Sequence, residues 1–597
     1  MYYRSLYPPI PQLPPKNYVD FALDRPEVGS FPNCKVYINA NTGEEIRRRE
    51  FIDRFEHAAV GLKAGLRDGG LGLKGQEENA GDGEIVGILS ENCLEFPVLV
   101  WSLLKIGVPF ALLPAQSTQS ELNALAHICK LSHLFVSPRL LPQALSGCKT
   151  WGLPEDKIYI LQGRAVDRIC LGDIIDSARR KGAQLMAEKL KSCAVRDDTL
   201  AYLVFSSGTS GLPKAVMVSH RNLCYAALQP AYMLAELSKV APPSPPNTPE
   251  GVTVGICVLP MYHTAALHGF ILRILLTPQT AIIMPKYNLD LLVDAISRYR
   301  VSHLFLVPTI VNQLLNSPKF GTADFTSVAS IGTAAAHLPV ELRDKFQGKA
   351  PLAQPWEAYG MSECTVTCIA TSIPGIFNST VDPVRGMTGI LLCGMEARIV
   401  REDGTEAGYH EPGELWVKGP NVVLGYRGNE EATRETFVTL EDGSYVGRWL
   451  KTGDRFRADE AGRFFYIDRV KDTFKVSGQQ VAPNEIEDII LDHPDKLVTD
   501  VVVAGVSHRS SRGGGRSAID EKTPRAWIIL SENGRHRPVE DVIATLKSWT
   551  EDKLSKHKWL RGGFEIVREI PKLPTGKKLR RVLVEQYNEG SCTEAKL

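Results

Sequence analysis

The ten residues Phe205-Ser-Ser-Gly-Thr-Ser-Gly-Leu-Pro-Lys214 bring together the groups that a polyphosphate requires. Gly208 and Gly211 leave backbone N–H groups unshielded by a Cβ. Ser206, Ser207, Thr209 and Ser210 add hydroxyls, and Lys214, reached through Leu212 and Pro213, adds positive charge. A flexible linker can share this composition, but it does not usually join two apolar runs such as 200–205 and 215–218. The loop is not a Walker A sequence. Pro213 stands where the second glycine belongs, and Ala215 follows the lysine in place of Ser or Thr. Kinase chemistry of the P-loop type is thereby excluded, while phosphate binding is not.

Such a loop needs strands and helices to hold it. Short apolar runs at 84–89, 108–113, 132–136, 158–161, 254–259 and 303–307 alternate with helical patterns, as in Phe96, Leu99, Val100 and Leu103 on one face. That alternation predicts an α/β fold with largely parallel sheets. Phe51, Phe55, Ala59 and Leu62 form another helical face, and residues 47–49 read as a solvated turn. Residues 1–35 are rich in proline and are expected to lie extended on the surface, and five prolines in 242–249 mark an exposed loop. From Gly413 onward, alternating strands with Gly/Asp turns predict a β-rich piece. After residue 472 a smaller α+β unit follows, interrupted by the basic insertion at 509–516.

With 597 residues the chain exceeds one hydrophobic core, so at least two domains are expected. A formal net charge of +1 gives no electrostatic case for nucleic acid, and no apolar stretch is long and unbroken enough to span a bilayer. The twelve cysteines lack the spacing of a zinc site and read as reduced thiols. The chain ends Ala595-Lys596-Leu597, a conservative variant of the Ser-Lys-Leu address read by the peroxisomal import receptor. Peroxisomal localisation is the expectation, or cytoplasmic if that tail is not read.

Further segments carry chemical groups after short strands. They are Gly332-Thr333-Ala334-Ala-Ala, Glu357-Ala358-Tyr359-Gly360-Met361-Ser362-Glu363, Lys451-Thr-Gly-Asp454, Tyr466-Ile-Asp-Arg469 and Pro571-Lys-Leu-Pro-Thr-Gly-Lys577. In this order, together with the 206–214 loop, they resemble the acyl-adenylate-forming superfamily from about residue 45 to 585. The order is most similar to 4-coumarate–CoA ligase-like acyl- and aryl-CoA synthetases. The resemblance implies a large N-terminal domain (1–470) of two α/β sheet subdomains and a β-barrel-like subdomain. A hinge at Lys471 and a small mobile α+β C-terminal domain (471–597) would follow.

It also implies ATP, Mg²⁺ and coenzyme A. Residues 206–214 would wrap the β- and γ-phosphates, with Glu363 and Thr209 near the metal. Tyr359 would stack on adenine, Gly332 to Ala334 would approach it by backbone, and Ser362 would stand where the family usually has a threonine on the α-phosphate. Glu357, Ala358, Gly360 and Met361 complete that nucleotide segment. Asp454 would accept the ribose hydroxyls beside Arg469, and Lys475 and Gln480 would lie near the nucleotide. Ser477 and Gly478 would border the pantetheine channel. Lys577 would supply charge to the adenylation transition state.

His263 and Ala265, in Leu259-Pro-Met-Tyr-His-Thr-Ala265, match the segment lining the acyl pocket, with Ala334 and Tyr359. No Asp stands there to pair with an α-ammonium, which argues against an amino acid. Small residues at 265 and 334–336 imply a roomy apolar pocket, suited to a phenylacetate, a cinnamate, a medium-chain or a polyketide-derived acid. A luciferase-like oxygenase would share these motifs. A non-catalytic nucleotide-binding relative would be expected to lose Lys577 or Glu363, and both are present.

Overall fold

In the computed structural model the chain divides into two compact units, one of Tyr3–Ala397 with Val417–Leu450, the other of Met1–Tyr2, Arg398–Trp416 and Lys451–Leu597. The structure describes residues 1–76, 83–186, 191–206, 213–242, 245–333, 340–441, 446–470, 472–476, 479–507, 522–572 and 578–589. No described helix is long and apolar enough to cross a membrane.

Two sheets build the larger unit. The first runs Gly425–Tyr426, Lys214–Ser219, Leu200–Ser206, Phe110–Leu113, Val86–Leu89, His133–Val136, Ile158–Ile160. From Leu200–Ser206 onward the neighbours are parallel, and both faces are covered. That is why 86–89 and 110–113 read as unbroken apolar runs with every residue buried. Helix Glu95–Ile106 is apolar on nearly every side and deeply buried, and Gly107 at φ 67° closes it by donating back to Leu103 and Leu104. At the other edge, Leu200–Ser206 and Lys214–Ser219 form an antiparallel hairpin with Ser206 opposite Lys214. The second sheet places the parallel strands Thr253–Cys257, His303–Leu306, Ser330–Thr333 and Gln354–Tyr359 side by side.

The N-terminal segment corrects an expectation in part. Residues 8–16 have no regular structure and are exposed or half-buried, as their prolines predict, but Tyr18–Leu23 is a helix capped by Asn17, and Tyr7, Tyr18 and Val19 are buried. The aromatic residues decide the outcome. The Tyr18 hydroxyl donates to the Leu272 carbonyl at 2.9 Å, the Tyr18 N–H donates to His220 Nδ1, and the ring packs against Trp101. Residues 47–49 also differ from a turn, since helix Arg48–Lys63 begins within them.

Ser219 and Asn222 form a capping box at the start of helix His220–Val240. Asn222 Nδ2 additionally donates to the carbonyls of Pro420 and Val422 at 3.0 and 3.1 Å, tying the helix to a distant loop.

In the smaller unit, residues 454–458 pair antiparallel with 464–469. A three-stranded sheet of Val498–Ser507, Lys522–Leu530 and Phe564–Ile566 packs with helices Pro483–Leu491 and Val539–Lys553 around Val501, Val503, Ile486, Leu546 and Ile528. The basic insertion at 509–516 lies outside the described residues.

Asn222→Ala removes the cap and two buried interactions, so it should lower the stability of the larger unit by about 2–4 kcal/mol. A denaturant titration with an unchanged midpoint would contradict this.

Candidate active site

The hairpin that carries the phosphate-type loop is fixed from outside by residues 420–427. Gly425 and Tyr426 pair antiparallel with Met217 and Val216, and the N–H groups of Leu424 and Arg427 donate to Met217 and Ala215. On the other side the same segment grips the turn after Tyr359. Asn421 Nδ2 donates to the carbonyls of Cys364 and Thr367 at 2.9 and 3.2 Å. Thr365 Oγ1 donates to the Asn421 carbonyl at 2.6 Å, and the Val423 N–H donates to the Glu363 carbonyl at 3.1 Å.

That turn is strained. Thr365 is fully buried at φ 66°, ψ −48°, and the Val366 N–H reaches back to the Cys364 carbonyl at 2.8 Å. A β-branched residue avoids this γ-turn region unless its surroundings hold it there. Gly360 is needed for the same close passage, because a Cβ on it would lie 1.9 Å from the Val366 carbonyl oxygen.

Glu363 is 4% exposed and accepts from the Tyr426 hydroxyl at 2.9 Å. Burial and the adjoining carboxylate push the Tyr426 phenol well above its ordinary range, so it acts as a donor. The Lys214 ammonium stands 4.7 Å above the Tyr426 ring. One aromatic side chain therefore gathers the lysine at the exit of the glycine-rich loop and a buried carboxylate from another sheet. Ser362 Oγ lies 3.2 Å from Thr264 Oγ1, which joins the Tyr359–Glu363 segment to the segment carrying His263.

His263 caps the short helix Thr264–Ala266, with its ring 4.8 Å from that of Tyr262. Burial lowers its pKa to about 4, so it is neutral at pH 7. His263 Nε2, Tyr262 Oη and Thr333 Oγ1 are buried polar atoms that find no hydrogen-bond partner among the described residues. Such atoms are costly unless something else binds them. Ala265 is half-buried beside them in sequence. Glu357, Ala358 and Tyr359 end the strand Gln354–Tyr359, and Thr333 ends its parallel neighbour opposite Glu357. Ligands of α/β sheets gather at this carboxyl end. Gly332 meets a protein neighbour on its Cβ side, since an added Cβ would lie 2.2 Å from the Trp356 ring.

In the smaller unit, Asp454 is buried opposite Arg469, with Oδ1 3.6 Å from the guanidinium. Residues 207–212, Ala334, Lys471, Ser477, Gly478, Lys577 and 595–597 lie outside the described residues, and for Lys475 and Gln480 the backbone alone is described.

The base of the 573–577 loop is nevertheless defined. Lys572 and Lys578 form an antiparallel bridge, and both ammonium groups bind Asp500. Lys578 also reaches Glu487 and the Val501 carbonyl. Burial opposes ionisation of Asp500, but Lys578 and Lys572 hold its carboxyl below the usual range. Arg580 extends the cluster to Glu487, Asn484 and Asp472, at 2.7, 2.6 and 3.3 Å. Asp472 directly follows the expected hinge.

Tyr426, Asn421, Asp500, Glu487 and Arg580 act through contacts to residues far away in the chain, which no local pattern announces; for Asn222 the local capping box is legible three residues after Ser219, but its two bonds to 420 and 422 are not. A further signal was Pro-Asn-Val-Val-Leu-Gly-Tyr426, where a buried polar residue interrupts an apolar run.

Comparison with known proteins adds independent findings. Residues 70–427 match the family model described as AMP-binding enzyme. The acyl-CoA ligase AKT1 of Alternaria alternata is 28% identical over 562 residues, covering 92% of this chain and 90% of that protein. Peroxisomal OPC-8:0-CoA ligase 1 of Arabidopsis thaliana is 29% identical, covering 97% and 94%. A crystal structure of the anthranilate CoA ligase AuaEII with anthranoyl-AMP shares the fold with TM-score 0.78 at 21% identity, covering 98% and 99%.

Asp468 supplies a pH test. Burial raises its pKa from 3.8 to about 6, against the pull of Arg580 and the N–H groups of Arg469 and Asn484. The stability this contributes is complete below about pH 4 and is lost as pH rises through 6, a change of up to about 3 kcal/mol. Asp468→Asn should flatten that slope in the smaller unit. Identical slopes in variant and wild type would refute the assignment.

Proposed function

The chain belongs to the AMP-binding enzyme family and is an ATP-dependent acyl-CoA ligase; for its own residues, we propose that they activate a carboxylic acid with an apolar body as acyl-AMP and pass it to coenzyme A. The observation that carries this reading is the convergence of Lys214, Tyr426 and Glu363 at the loop 206–214. A buried carboxylate and a lysine flanking a hydroxyl-rich loop fit a magnesium-bound nucleoside triphosphate, because a hard cation takes oxygen ligands and phosphates take N–H groups and ammonium. Glu363, with Thr209, would hold Mg²⁺, which when bound supplies positive charge to the phosphate oxygens.

The residues divide the work as follows. Ser206 to Lys214 cradle the β- and γ-phosphates. Tyr359 stacks on adenine, which Gly332, Thr333 and Ala334 approach by backbone. Ser362 donates to the α-phosphate, and Asp454, beside Arg469, accepts the ribose hydroxyls. The acid's carboxylate oxygen forms a bond to the α-phosphorus as pyrophosphate leaves. Lys577 places its ammonium where negative charge grows in that step, and the charge need not be created during reaction. In the second half-reaction a thiolate forms a bond to the acyl carbon and AMP departs. Neutral His263 stands between the acyl group and the incoming thiol.

Lys577 must withdraw before the thiol enters, so residues 471–597 act as the mobile part and Lys471 as its hinge. Lys475 and Gln480 then take up positions near the nucleotide, and Ser477 and Gly478 border the pantetheine. Asp500 holds Lys572 and Lys578, the described residues on either side of Lys577 in the sequence, to the body of their unit. Delivery to peroxisomes follows from Ala595-Lys596-Leu597, a reading supported by the relative whose name places it there.

Lys577→Ala should cut acid-dependent pyrophosphate release by at least about 100-fold, as for other losses of transition-state charge stabilisation. Thioester formation from supplied acyl-AMP should stay within about threefold. Equal loss in both half-reactions, or none in the first, would overturn the role. For the address, removal of residues 595–597 from a tagged chain should convert punctate organelle fluorescence to a diffuse signal, and unchanged puncta would exclude it.

A further inference from the structure

Ser362 combines a fixed backbone with a side chain that its own chemistry leaves free to rotate. Its carbonyl accepts from the Thr365 N–H at 3.0 Å, inside the turn that Asn421 grips. With no branch at Cβ, three staggered positions are open to its hydroxyl. The Thr264 hydroxyl lies 3.2 Å away and bonds it.

Thr264 is a firm anchor for such a rotor. It is 8% exposed, and its β-branch stiffens χ1. It opens a helical stretch, 264–275, that other elements brace on both sides. Ahead of it, Asn92 Nδ2 donates to the carbonyls of Leu259 and Met284 at 3.0 and 3.1 Å, and Asn92 Oδ1 accepts from the Met261 N–H at 2.7 Å. Behind it, Leu267–Ile271 forms a π-turn, closed by the Leu272 N–H on the Leu267 carbonyl. A π-turn shifts the α-helical ladder by one residue, and carbonyls left over must find other donors.

Three consecutive carbonyls find buried aromatic donors. Phe270 accepts from Tyr37 Oη at 3.2 Å, Ile271 from Trp101 Nε1 at 3.1 Å, and Leu272 from Tyr18 Oη at 2.9 Å. His268 Nε2 is bonded to Tyr202 Oη at 2.9 Å, on the strand that leads into the glycine-rich loop. The stretch carrying Thr264 is therefore held by residues from both ends of its course, and its hydroxyl is presented from a rigid support.

We propose that Thr264 is a positioning residue, whose hydroxyl donates to Ser362 Oγ and so turns the Ser362 proton toward the α-phosphate. The inference rests on the ligase reading, which gives Ser362 its phosphate, and adds the group that aims it. Polarity fixes the direction. Phosphate oxygens only accept, so a Ser362 hydroxyl that donates to one is left with its oxygen to accept, and Thr264 supplies the proton for it. Successive donors in one chain strengthen each other. A branched Cβ would order such a hydroxyl by itself; at Ser362 the order comes from a neighbour.

The test measures exchange of labelled pyrophosphate into ATP, with a carboxylic acid that the wild type activates. The variants are Thr264→Val, Thr264→Ser, Ser362→Thr and the double variant Thr264→Val/Ser362→Thr. Thr264→Val keeps the shape and drops the hydroxyl, so the maximal rate should fall about tenfold, as for one lost hydrogen bond, with KM for the acid within twofold. Thr264→Ser should stay within threefold of wild type. In the Ser362→Thr background the Thr264→Val change should cost less than threefold, because the added methyl orients the hydroxyl. A merely structural role behaves otherwise, since distortion of the braced stretch would raise KM for the acid and persist in the double variant. Thr264→Ala reads the same hydroxyl if Thr264→Val does not fold. An unchanged rate, a loss carried by KM, or an equal loss in the Ser362→Thr background would overturn the role of Thr264 alone. Absence of exchange by the wild type with every acid in a wide panel would defeat the ligase reading, and this inference with it.

Discussion

Burying a carboxylate almost completely is expensive unless donors or cations meet it, and Glu363 is met by the hydroxyl of Tyr426. The site depends on that contact. Tyr426 can reach Glu363 only because Gly425–Tyr426 zips onto Lys214–Ser219 as an edge strand, and that pairing also brings Lys214 over the same ring. Thr365 can hold its strained backbone only because Asn421 receives its hydroxyl and returns two hydrogen bonds to the turn. Asn222 then ties this segment to the cap of the following helix. Segments near 214, 222, 363 and 421 thus define one another, and none of them would keep its geometry alone.

A parallel logic governs the smaller unit with different chemistry. There the organising groups are charged: Asp500 between Lys572 and Lys578, and Arg580 between Glu487 and Asp472. Pairing a buried cation with a buried anion adds little net stability, but removing one partner strands the other. The larger unit uses a hydroxyl donor to Glu363 and a cation over a ring instead.

Much of this was legible in the residue order. Apolar runs at 86–89, 110–113 and 133–136 showed a covered parallel sheet, because no alternation is left when both faces are buried. The apolar runs on either side of the glycine-rich segment predicted two strands, and Ser206 and Lys214 do pair in a hairpin. What stayed hidden depends on distance along the chain. Tyr426 lies 63 residues from Glu363, and Arg580 lies 108 from Asp472. The N-terminal arm misled for a related reason: prolines at 8, 9, 11, 14 and 15 speak for local extension, while the burial of Tyr18 is decided by Leu272 and Trp101.

The measurement closest to the centre of this account is exchange of labelled pyrophosphate into ATP with acid present and thiol absent, followed as a function of Mg²⁺ for wild type and Tyr426→Phe. Exchange without thiol is expected from wild type, with the variant requiring about tenfold more Mg²⁺ because Glu363 has lost its hydroxyl donor. Exchange that appears only once thiol is added, or two Mg²⁺ curves that superimpose, would contradict it.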